Sequence, residues 1–213
     1  MEKIVVSLCD FTGNMVLPWA EAGYECYCVD VKHGIRNDKI RDFHNGGKIV
    51  FTWGDVRSWT PPNGKKIKIL FAFPPCTDVA NSGARDFERK RCHLFADALF
   101  LFDACNVAGA YSGAPYMIEN PVGRLSSYRL PDHRFHPCEY GGYLTPPGDA
   151  YTKKTCLWTG NGFVMPPKKP VEPVEGSKMH LMPPSDDRAA KRAETPMGFA
   201  RAVFAANNTS TIN

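Results

Sequence analysis

The sequence lacks a long hydrophobic run and any strong imbalance of charge. None of its apolar stretches approaches the roughly 20 residues that a helix needs to span a bilayer. It begins Met1-Glu2-Lys3, directly before a strand-like apolar run, without the pattern of a signal peptide. Lysine and arginine number 26 and aspartate and glutamate 22, so the net charge is only +4. We therefore expect a cytoplasmic protein with no membrane partner, whose charge permits contact with nucleic acid without requiring it.

Disorder and disulfide bonds are also not expected. Hydrophobic residues make up 43% of the chain and charged residues 23%, values that exclude a largely disordered or coiled-coil protein. The eight cysteines fall in apolar stretches of a cytosolic-looking chain, where thiols stay reduced. The 213 residues are enough for one domain and few for two. We therefore predict a single domain over 1–213 with free, mostly buried thiols.

Short apolar runs alternate with helical or polar segments along most of the chain. The predicted strands are 3–9, 24–29, 48–53, 68–73, 116–118 and 155–158. The other predicted segments are helices at 15–22 and 86–110, a polar stretch with a short helix at 31–47, a proline-rich surface segment at 161–184 and two short helices within 185–207. This alternation predicts an α/β protein with a doubly wound, mostly parallel sheet. In such sheets ligands bind beyond the carboxyl ends of the strands.

The turn 10–14 and Asp30 follow the first two predicted strands and have the layout of a nucleotide cofactor site. A tight turn lets the backbone approach a ligand, and a carboxylate after the second strand can accept hydrogen bonds from ribose hydroxyls. Only Gly13 is present where such turns often carry two or three glycines. A simple turn beside a solvated aspartate therefore remains an alternative.

Two further candidates follow later strands. Cys76 comes directly after Pro74-Pro75, so its backbone is rigid and its thiol is placed as a nucleophile would be. Glu119 follows the strand predicted at 116–118 and is expected to face the same cleft, where it could donate a proton or hold an amino group. The alternatives are a buried structural thiol for Cys76 and an exposed or capping carboxylate for Glu119.

Seven motifs occur in a defined order. They are Leu8-Cys9-Asp10-Phe11-Thr12-Gly13, Asp30, Gly54-Asp55, Phe73-Pro74-Pro75-Cys76, Ile118-Glu119-Asn120-Pro121, Glu139-Tyr140-Gly141 and the run from Tyr151 to Trp158. Their order resembles that of the DNA (cytosine-5) methyltransferases, over roughly residues 4–158. The resemblance implies a Rossmann-like methyltransferase fold, S-adenosylmethionine as cofactor and DNA as partner, with the target cytosine flipped out of the duplex. The small size is typical of a phage or mobile-element protein, acting in a bacterial or phage-infected cell.

The resemblance also implies roles for individual residues. Cys76 corresponds to the nucleophile that adds to carbon 6 of cytosine, Glu119 to the residue that binds ring nitrogen 3 and the exocyclic amine, and Lys153 to a catalytic arginine. The implied cofactor-binding residues are Leu8, Cys9, Asp10, Phe11, Thr12, Gly13, Asp30, Val31, Asp55, Val56 and Pro74. The implied residues for DNA and base binding are Asn120, Lys154, Thr155, Lys168 and Lys169.

The chain departs from the family pattern in five places. The first turn lacks a glycine at Phe11, and Pro121 stands where valine is commoner. Cys9 replaces an aromatic residue, and Lys153 replaces an arginine whose bidentate fork a lysine cannot reproduce. The proline-rich segment 161–184 occupies the place of a target-recognition domain and offers little scope for reading base edges. We therefore expect low or short sequence specificity. Action on a free cytosine nucleotide or a single strand, or a non-catalytic binding role, remains open.

A metal site is not expected. The candidate zinc ligands are His133, His136, Cys138 and Cys156, and their spacing matches no compact zinc-finger pattern.

Overall fold

The computed structural model describes residues 3–178 and 188–208. The chain forms two compact units. The first comprises Met1–Arg134 and Thr155–Phe163, and the second comprises Phe135–Lys154 and Val164–Asn213. The single domain predicted over 1–213 stays a prediction.

An eight-stranded mixed sheet, mostly parallel, dominates the fold. Its strands are β1 (Lys3–Leu8), β2 (Glu25–Val29), β3 (Lys39–Asp42), β4 (Lys48–Thr52), β5 (Lys66–Ala72), β6 (Tyr116–Pro121), β7 (His133–Phe135) and β8 (Thr155–Gly160). Their order across the sheet is β3-β4-β2-β1-β5-β6-β8-β7. The neighbours from β4 to β6 pair in parallel, whereas β3 and β8 run antiparallel to β4 and β6. The predicted α/β class with a mostly parallel sheet is thus confirmed.

The helices of the first unit are α1 (Leu17–Glu21), α2 (Cys92–Tyr111) and α3 (Leu125–Tyr128), with a 3₁₀ helix at Asn81–Asp86. The buried face of α2 carries Ala98, Phe102, Cys105 and Gly109, spaced three or four residues apart as a helix packed on a sheet requires. The Phe102 ring meets Trp158 of β8 edge to face, with 4.9 Å between ring centroids. These contacts hold α2 against β8, the last strand in the chain.

Helix α2 is also the described helix that is long and apolar enough to cross a membrane. Its most apolar 18-residue window has a mean hydropathy of 1.3, and 22% of that window is buried. Length and composition alone do not distinguish a membrane span from a packed helix. The expected absence of a membrane partner stays a prediction.

Three predicted elements differ from the structure. The stretch 31–47 holds no helix but the antiparallel strand β3, which reaches β4 through a turn where Gly46 has φ +82°. Helix α2 starts at Cys92 rather than at 86, because the 3₁₀ helix ends at Asp86 and residues 87–91 form a turn before α2 begins. Strand β6 continues to Pro121, since its pairing with β8 outlasts its pairing with β5. Glu119 therefore lies within a strand rather than after one.

The second unit contains 3₁₀ helices at Pro137–Glu139 and Gly141–Tyr143, and helices α4 (Arg188–Ala193) and α5 (Met197–Asn207). Its core is aromatic. The Phe135 and Phe199 rings stack with centroids 4.0 Å apart, and Tyr140 meets Phe199 at 5.1 Å. Both helices of the predicted pair are present, although 185–187 lie outside the described residues.

Residues 164–178 of the proline-rich segment are part of the second unit rather than a loose linker. The segment has no helix or strand between 163 and 173, as predicted, and 179–184 lie outside the described residues. The Lys169 N–H donates to Glu139 O at 3.0 Å, and the Gly142 N–H donates to Lys169 O at 2.9 Å. The Val171 N–H donates to Cys138 O at 2.8 Å. The segment therefore runs beside 138–142.

Candidate active site

A crevice is expected where the strand order reverses. Among the five parallel strands, the order is β4-β2-β1-β5-β6, so the chain moves outward from β1 in one direction and from β5 in the other. In doubly wound sheets the ligand crevice lies beyond the carboxyl ends of the strands at this switch point. Here that edge carries the turn after β1 and the Pro74-Pro75-Cys76 loop after β5.

Backbone hydrogen bonds join the segments that follow neighbouring strands. They run from Asp10 N–H to Val29 O at 3.3 Å, from Asp30 N–H to Thr52 O at 3.2 Å and from Phe73 N–H to Leu8 O at 2.9 Å. Each bond links a residue just past one strand to the end of the next strand in the sheet. The predicted cofactor residues and the Cys76 loop therefore share one continuous edge.

The turn after β1 is built around the carboxylate of Asp10. Oδ1 accepts hydrogen bonds from the Thr12 and Gly13 N–H groups at 2.9 and 2.8 Å, and Oδ2 accepts one from Ser7 Oγ at 2.7 Å. Asp10 is 5% exposed, so its side chain braces the turn rather than facing a ligand. Gly13 has φ +71°, and a Cβ there would lie 3.0 Å from the Phe51 ring. The single glycine of this turn is thus where both backbone and packing require one.

Exposed apolar side chains gather after β1, β2 and β4. Phe11, Val31 and Trp53 are 56%, 57% and 40% exposed. The Phe11 ring stacks on His33 with centroids 5.2 Å apart. With the half-buried carboxylate of Asp30 on the same edge, these residues fit an aromatic base and its ribose. Trp53 and His33 are not among the residues predicted from the sequence, because Trp53 falls inside the strand predicted at 48–53 and only the structure ends that strand at Thr52.

The remaining predicted cofactor residues after β1 and β4 contact other parts of the protein. The Asp55 carboxylate accepts hydrogen bonds from the Arg57 side chain, which lower the pKa of Asp55 to about 2. Val56 packs against the core cluster, as does Cys9, whose φ is +54°. A hydrogen bond donated by the Cys105 thiol to Cys9, together with burial, raises the pKa of Cys105. A ligand amine at Asp55 would therefore compete with Arg57.

Asn120 connects β6 to the loop that carries Cys76. Its Nδ2 donates to Pro74 O at 2.8 Å, and the side chain is 1% exposed. Among the described residues, no hydrogen-bond partner faces its Oδ1. Sequence analysis placed Asn120 with the base-binding residues, whereas the structure shows its amide nitrogen holding the backbone two residues before the half-buried Cys76.

Glu119 and Cys76 both come shortly after the point where the neighbouring parallel strands β5 and β6 stop pairing. The parallel ladder between β5 and β6 ends at the pair Ala72 and Ile118, and Glu119 is the next residue of β6. Glu119 is half-buried and pairs with Leu157 of β8. The sheet therefore brings the two predicted catalytic residues of the first unit to the same edge, as the sequence predicted.

The loop beyond Cys76 is held by contacts at both sides. Lys90 Nζ donates to Thr77 O at 2.7 Å and pairs with the Asp78 carboxylate at 2.8 Å. On the other side, a Cβ on Gly123 would overlap the Val79 carbonyl, so the chain after β6 can approach this loop only because residue 123 is glycine. These contacts give Cys76 a defined backbone position.

Three predicted residues flank the start of β8. Lys153 lies in the second unit, where its Nζ donates to Arg192 O at 2.7 Å. Lys154 is exposed, and Thr155 is 2% exposed as the first residue of β8 in the first unit. The sequence pattern does not reveal this use of Lys153 to hold α4, because the two residues are 39 positions apart.

The predicted DNA-binding lysines of the proline-rich segment also have partners in the second unit. Lys168 forms a salt bridge with Glu139 at 2.7 Å. Lys169 Nζ lies 4.4 Å from the centroid of the Tyr143 ring, a cation–π contact. Both lysines remain at the surface, but each would have to share its charge with a protein partner when it meets a phosphate.

Comparisons with known proteins add no relative. No family model matches the chain, and no curated protein matches it either. Within the described ranges, no group of three or more histidine, cysteine, aspartate or glutamate side chains is placed to hold a metal ion.

Proposed function

We propose that the protein transfers a methyl group from S-adenosylmethionine to carbon 5 of cytosine in DNA, through a covalent adduct on Cys76. We further propose that its sheet is that of a Rossmann-like methyltransferase. The parallel strands support this, because their order, third-second-first-fourth-fifth along the chain, is that of the classic dinucleotide-binding sheet.

The observation that carries the proposal is the hydrogen bond from Asn120 to Pro74 O. It couples the strand that bears Glu119 to the loop that bears Cys76, across 46 residues of sequence. A nucleophile and a residue that binds the same base must keep a fixed separation, because small misplacements of reacting groups cost large factors in rate. A buried link of this kind would keep that separation fixed.

The cofactor is proposed to bind along the edge formed by the ends of β1, β2 and β4. Asp30 would accept hydrogen bonds from the ribose, and Phe11, Val31 and Trp53 would cover the adenine. When bound there, S-adenosylmethionine supplies an electrophilic methyl group. The exposed apolar surface supports this assignment, because single domains rarely leave such residues grouped without a use.

Cys76 is proposed to activate the cytosine ring. Its thiolate adds to carbon 6, forming a carbon–sulfur bond and placing an electron pair at carbon 5, which is otherwise a poor nucleophile. Glu119 would hold ring nitrogen 3 and the exocyclic amine, stabilising the adduct. Once carbon 5 has taken the methyl group, loss of its proton to solvent expels the thiolate and restores the double bond. The base must leave the duplex stack for this geometry to form.

Low or short sequence specificity is part of the proposal. Lys168 and Lys169, the described candidates for DNA contact in the proline-rich segment, are engaged with Glu139 and Tyr143. Cations of this kind position a duplex through its phosphates and carry little sequence information.

The direct test is a digest to nucleosides of unmethylated DNA incubated with the protein and S-adenosylmethionine, analysed by mass spectrometry. We expect 5-methylcytosine with the wild type and none with Cys76→Ser. The variant should fold normally, since it replaces one half-buried sulfur by oxygen, and thermal denaturation checks this. Unchanged cytosine with the wild type would contradict the proposal.

Trapping distinguishes the remaining alternatives. A duplex that contains 5-fluorocytosine should form a covalent adduct with Cys76 when the cofactor is present, because fluorine at carbon 5 cannot leave as a proton does. The 5-fluoro forms of a deoxycytidine nucleotide and of a single strand are compared as acceptors in parallel. An adduct on the free nucleotide but not on the duplex would show that the nucleotide, rather than DNA, is the substrate. No adduct on any acceptor would favour a non-catalytic binding protein.

A further inference from the structure

A positively charged pocket lies beside the Cys76 loop in the first unit. It has a volume of about 160 Å³, and its lining includes the cations Lys90, Arg91 and Arg124 and one carboxylate, Asp78. Lys90 is paired with Asp78, whereas neither arginine forms a salt bridge within the described part of the chain. The charged side chains that line the pocket therefore sum to about +2, which would attract an anion.

The Arg124 guanidinium is held in place before any ligand arrives. It lies 3.9 Å from the centroid of the Phe87 ring and 4.9 Å from that of Phe95. The Arg124 N–H donates to Val79 O at 2.8 Å, which fixes the backbone of Arg124 against the Cys76 loop. A planar guanidinium in a fixed orientation suits bidentate binding of a phosphate and loses little entropy on binding.

The start of helix α2 adds to this positive environment. Arg91 is its N-cap residue and makes no capping hydrogen bond with its side chain, and the first turn of this 20-residue helix contains no acidic residue. The N–H groups of a first helical turn and the helix dipole both favour an anion. Cys92, the first residue of the helix, is exposed and lines the same pocket.

We propose that this pocket binds a phosphodiester group of the DNA backbone beside the cytosine that Cys76 attacks. The inference rests on the proposed function for the source of the phosphate. A pocket of about 160 Å³ has room for several water molecules, and therefore for a phosphodiester group. Binding there would anchor the DNA strand to the loop that carries the nucleophile.

The first experiment measures affinity for a fluorescent DNA duplex by anisotropy, without cofactor, over a range of salt concentrations. Arg124→Met should weaken binding about tenfold at low salt, because a charge-assisted hydrogen bond is lost. It should also reduce the salt slope by about 1. Arg91→Met should act in the same direction, and its exposed side chain makes misfolding a poor explanation.

The matched control is Arg41→Met. Arg41 also lies over an aromatic ring, 5.1 Å from the centroid of Phe43, but it belongs to the edge strand β3, four positions from β5 in the sheet. It should leave affinity and salt slope unchanged. Wild-type affinity and slope in both Arg124→Met and Arg91→Met would overturn the proposal, as would an equal loss in Arg41→Met.

A second experiment does not depend on DNA methylation. Cys92 is alkylated with iodoacetamide in inorganic phosphate or in sodium chloride of equal ionic strength, and its peptide is quantified by mass spectrometry. Phosphate should slow the reaction severalfold in the wild type and not in Arg124→Met, and equal rates in both salts would overturn the phosphate site. Protection by phosphate without any effect of the variants on DNA affinity would overturn the assignment to DNA. If both experiments give the expected results but no 5-methylcytosine is formed, the phosphate site is supported and the proposed methyltransferase function is contradicted.

Discussion

The substitution Asn120→Leu separates the stability of the fold from the placement of the nucleophile. Leucine has a similar shape but removes both the Nδ2 donor to Pro74 and the buried Oδ1 that has no partner among the described residues. Loss of the hydrogen bond, with the Pro74 carbonyl left unpaired, costs about 1–3 kcal/mol, and removal of an unpaired buried oxygen recovers a similar amount. Urea denaturation should therefore show the free energy of unfolding changed by no more than about 1 kcal/mol.

The rate should respond differently. Without the bond to Pro74, the backbone two residues before Cys76 is no longer held against β6. A displacement of about 1 Å between reacting groups can cost about 100-fold in rate. We expect single-turnover methyl transfer on saturating DNA to fall by about this factor. The affinity for DNA should not change, because Asn120 is too deeply buried to touch it.

Asn106→Leu is the matched control. The Oδ1 of Asn106 accepts hydrogen bonds from Arg129 Nη1 at 2.6 Å and from Tyr116 OH at 3.4 Å, at the amino end of β6. Its loss should lower the free energy of unfolding by about 1–3 kcal/mol and leave the rate unaffected. Wild-type turnover in Asn120→Leu would refute the positioning role. So would a loss of rate in both variants that follows their loss of stability.

Two further predictions concern stability alone. Burial opposes ionisation of Glu25, but hydrogen bonds from its two lysine partners prevail and lower its pKa from 4.5 to about 2. The ionised carboxylate therefore contributes fully to the free energy of unfolding above pH 4.5, and this contribution disappears as the pH falls towards 2. Glu25→Gln should cost about 2–3 kcal/mol near neutral pH, and urea denaturation in acid should show this difference shrinking; a difference independent of pH would contradict the linkage. Gly123→Ala should lower the free energy of unfolding by about 1–3 kcal/mol, because the new Cβ overlaps the Val79 carbonyl. The control is Gly83→Ala, where the new Cβ lies 3.5 Å from its nearest neighbour, so calorimetry should show almost no change in melting temperature. Equal melting temperatures for both alanine variants would exclude the close approach at Gly123.

The strands were predictable where both faces are covered. β1 and β5 appear in the sequence as continuous apolar runs, and the structure buries nearly all of β1 and the second half of β5. β3 was missed because all four of its residues are exposed, so no burial pattern marks it. It forms through its turn and its pairing with β4. An edge strand whose side chains are exposed therefore shows no hydrophobic pattern in the sequence.

The candidate site was predictable in position but not in its internal contacts. Residues that follow apolar runs were expected at one edge, and Asp30, Cys76 and Glu119 lie there because their strands are parallel or end together. The predicted binding roles of Asp10 and Asn120 stay predictions, but the contacts that these side chains make within the protein were not foreseen. Asp10 braces its own turn, which a local Asp-x-Thr-Gly pattern could have indicated.

The sequence by itself determined the alternation of strands and helices and the residues placed at the strand ends, because these depend on local burial patterns and turn chemistry. Tertiary structure decided the strand order, and with it the switch point between β1 and β5. It also decided which polar atoms meet, including Asn120 with Pro74 and Lys153 with Arg192. Such pairings join segments far apart in the chain, so they follow from the packing of the whole sheet and each unit rather than from any local pattern.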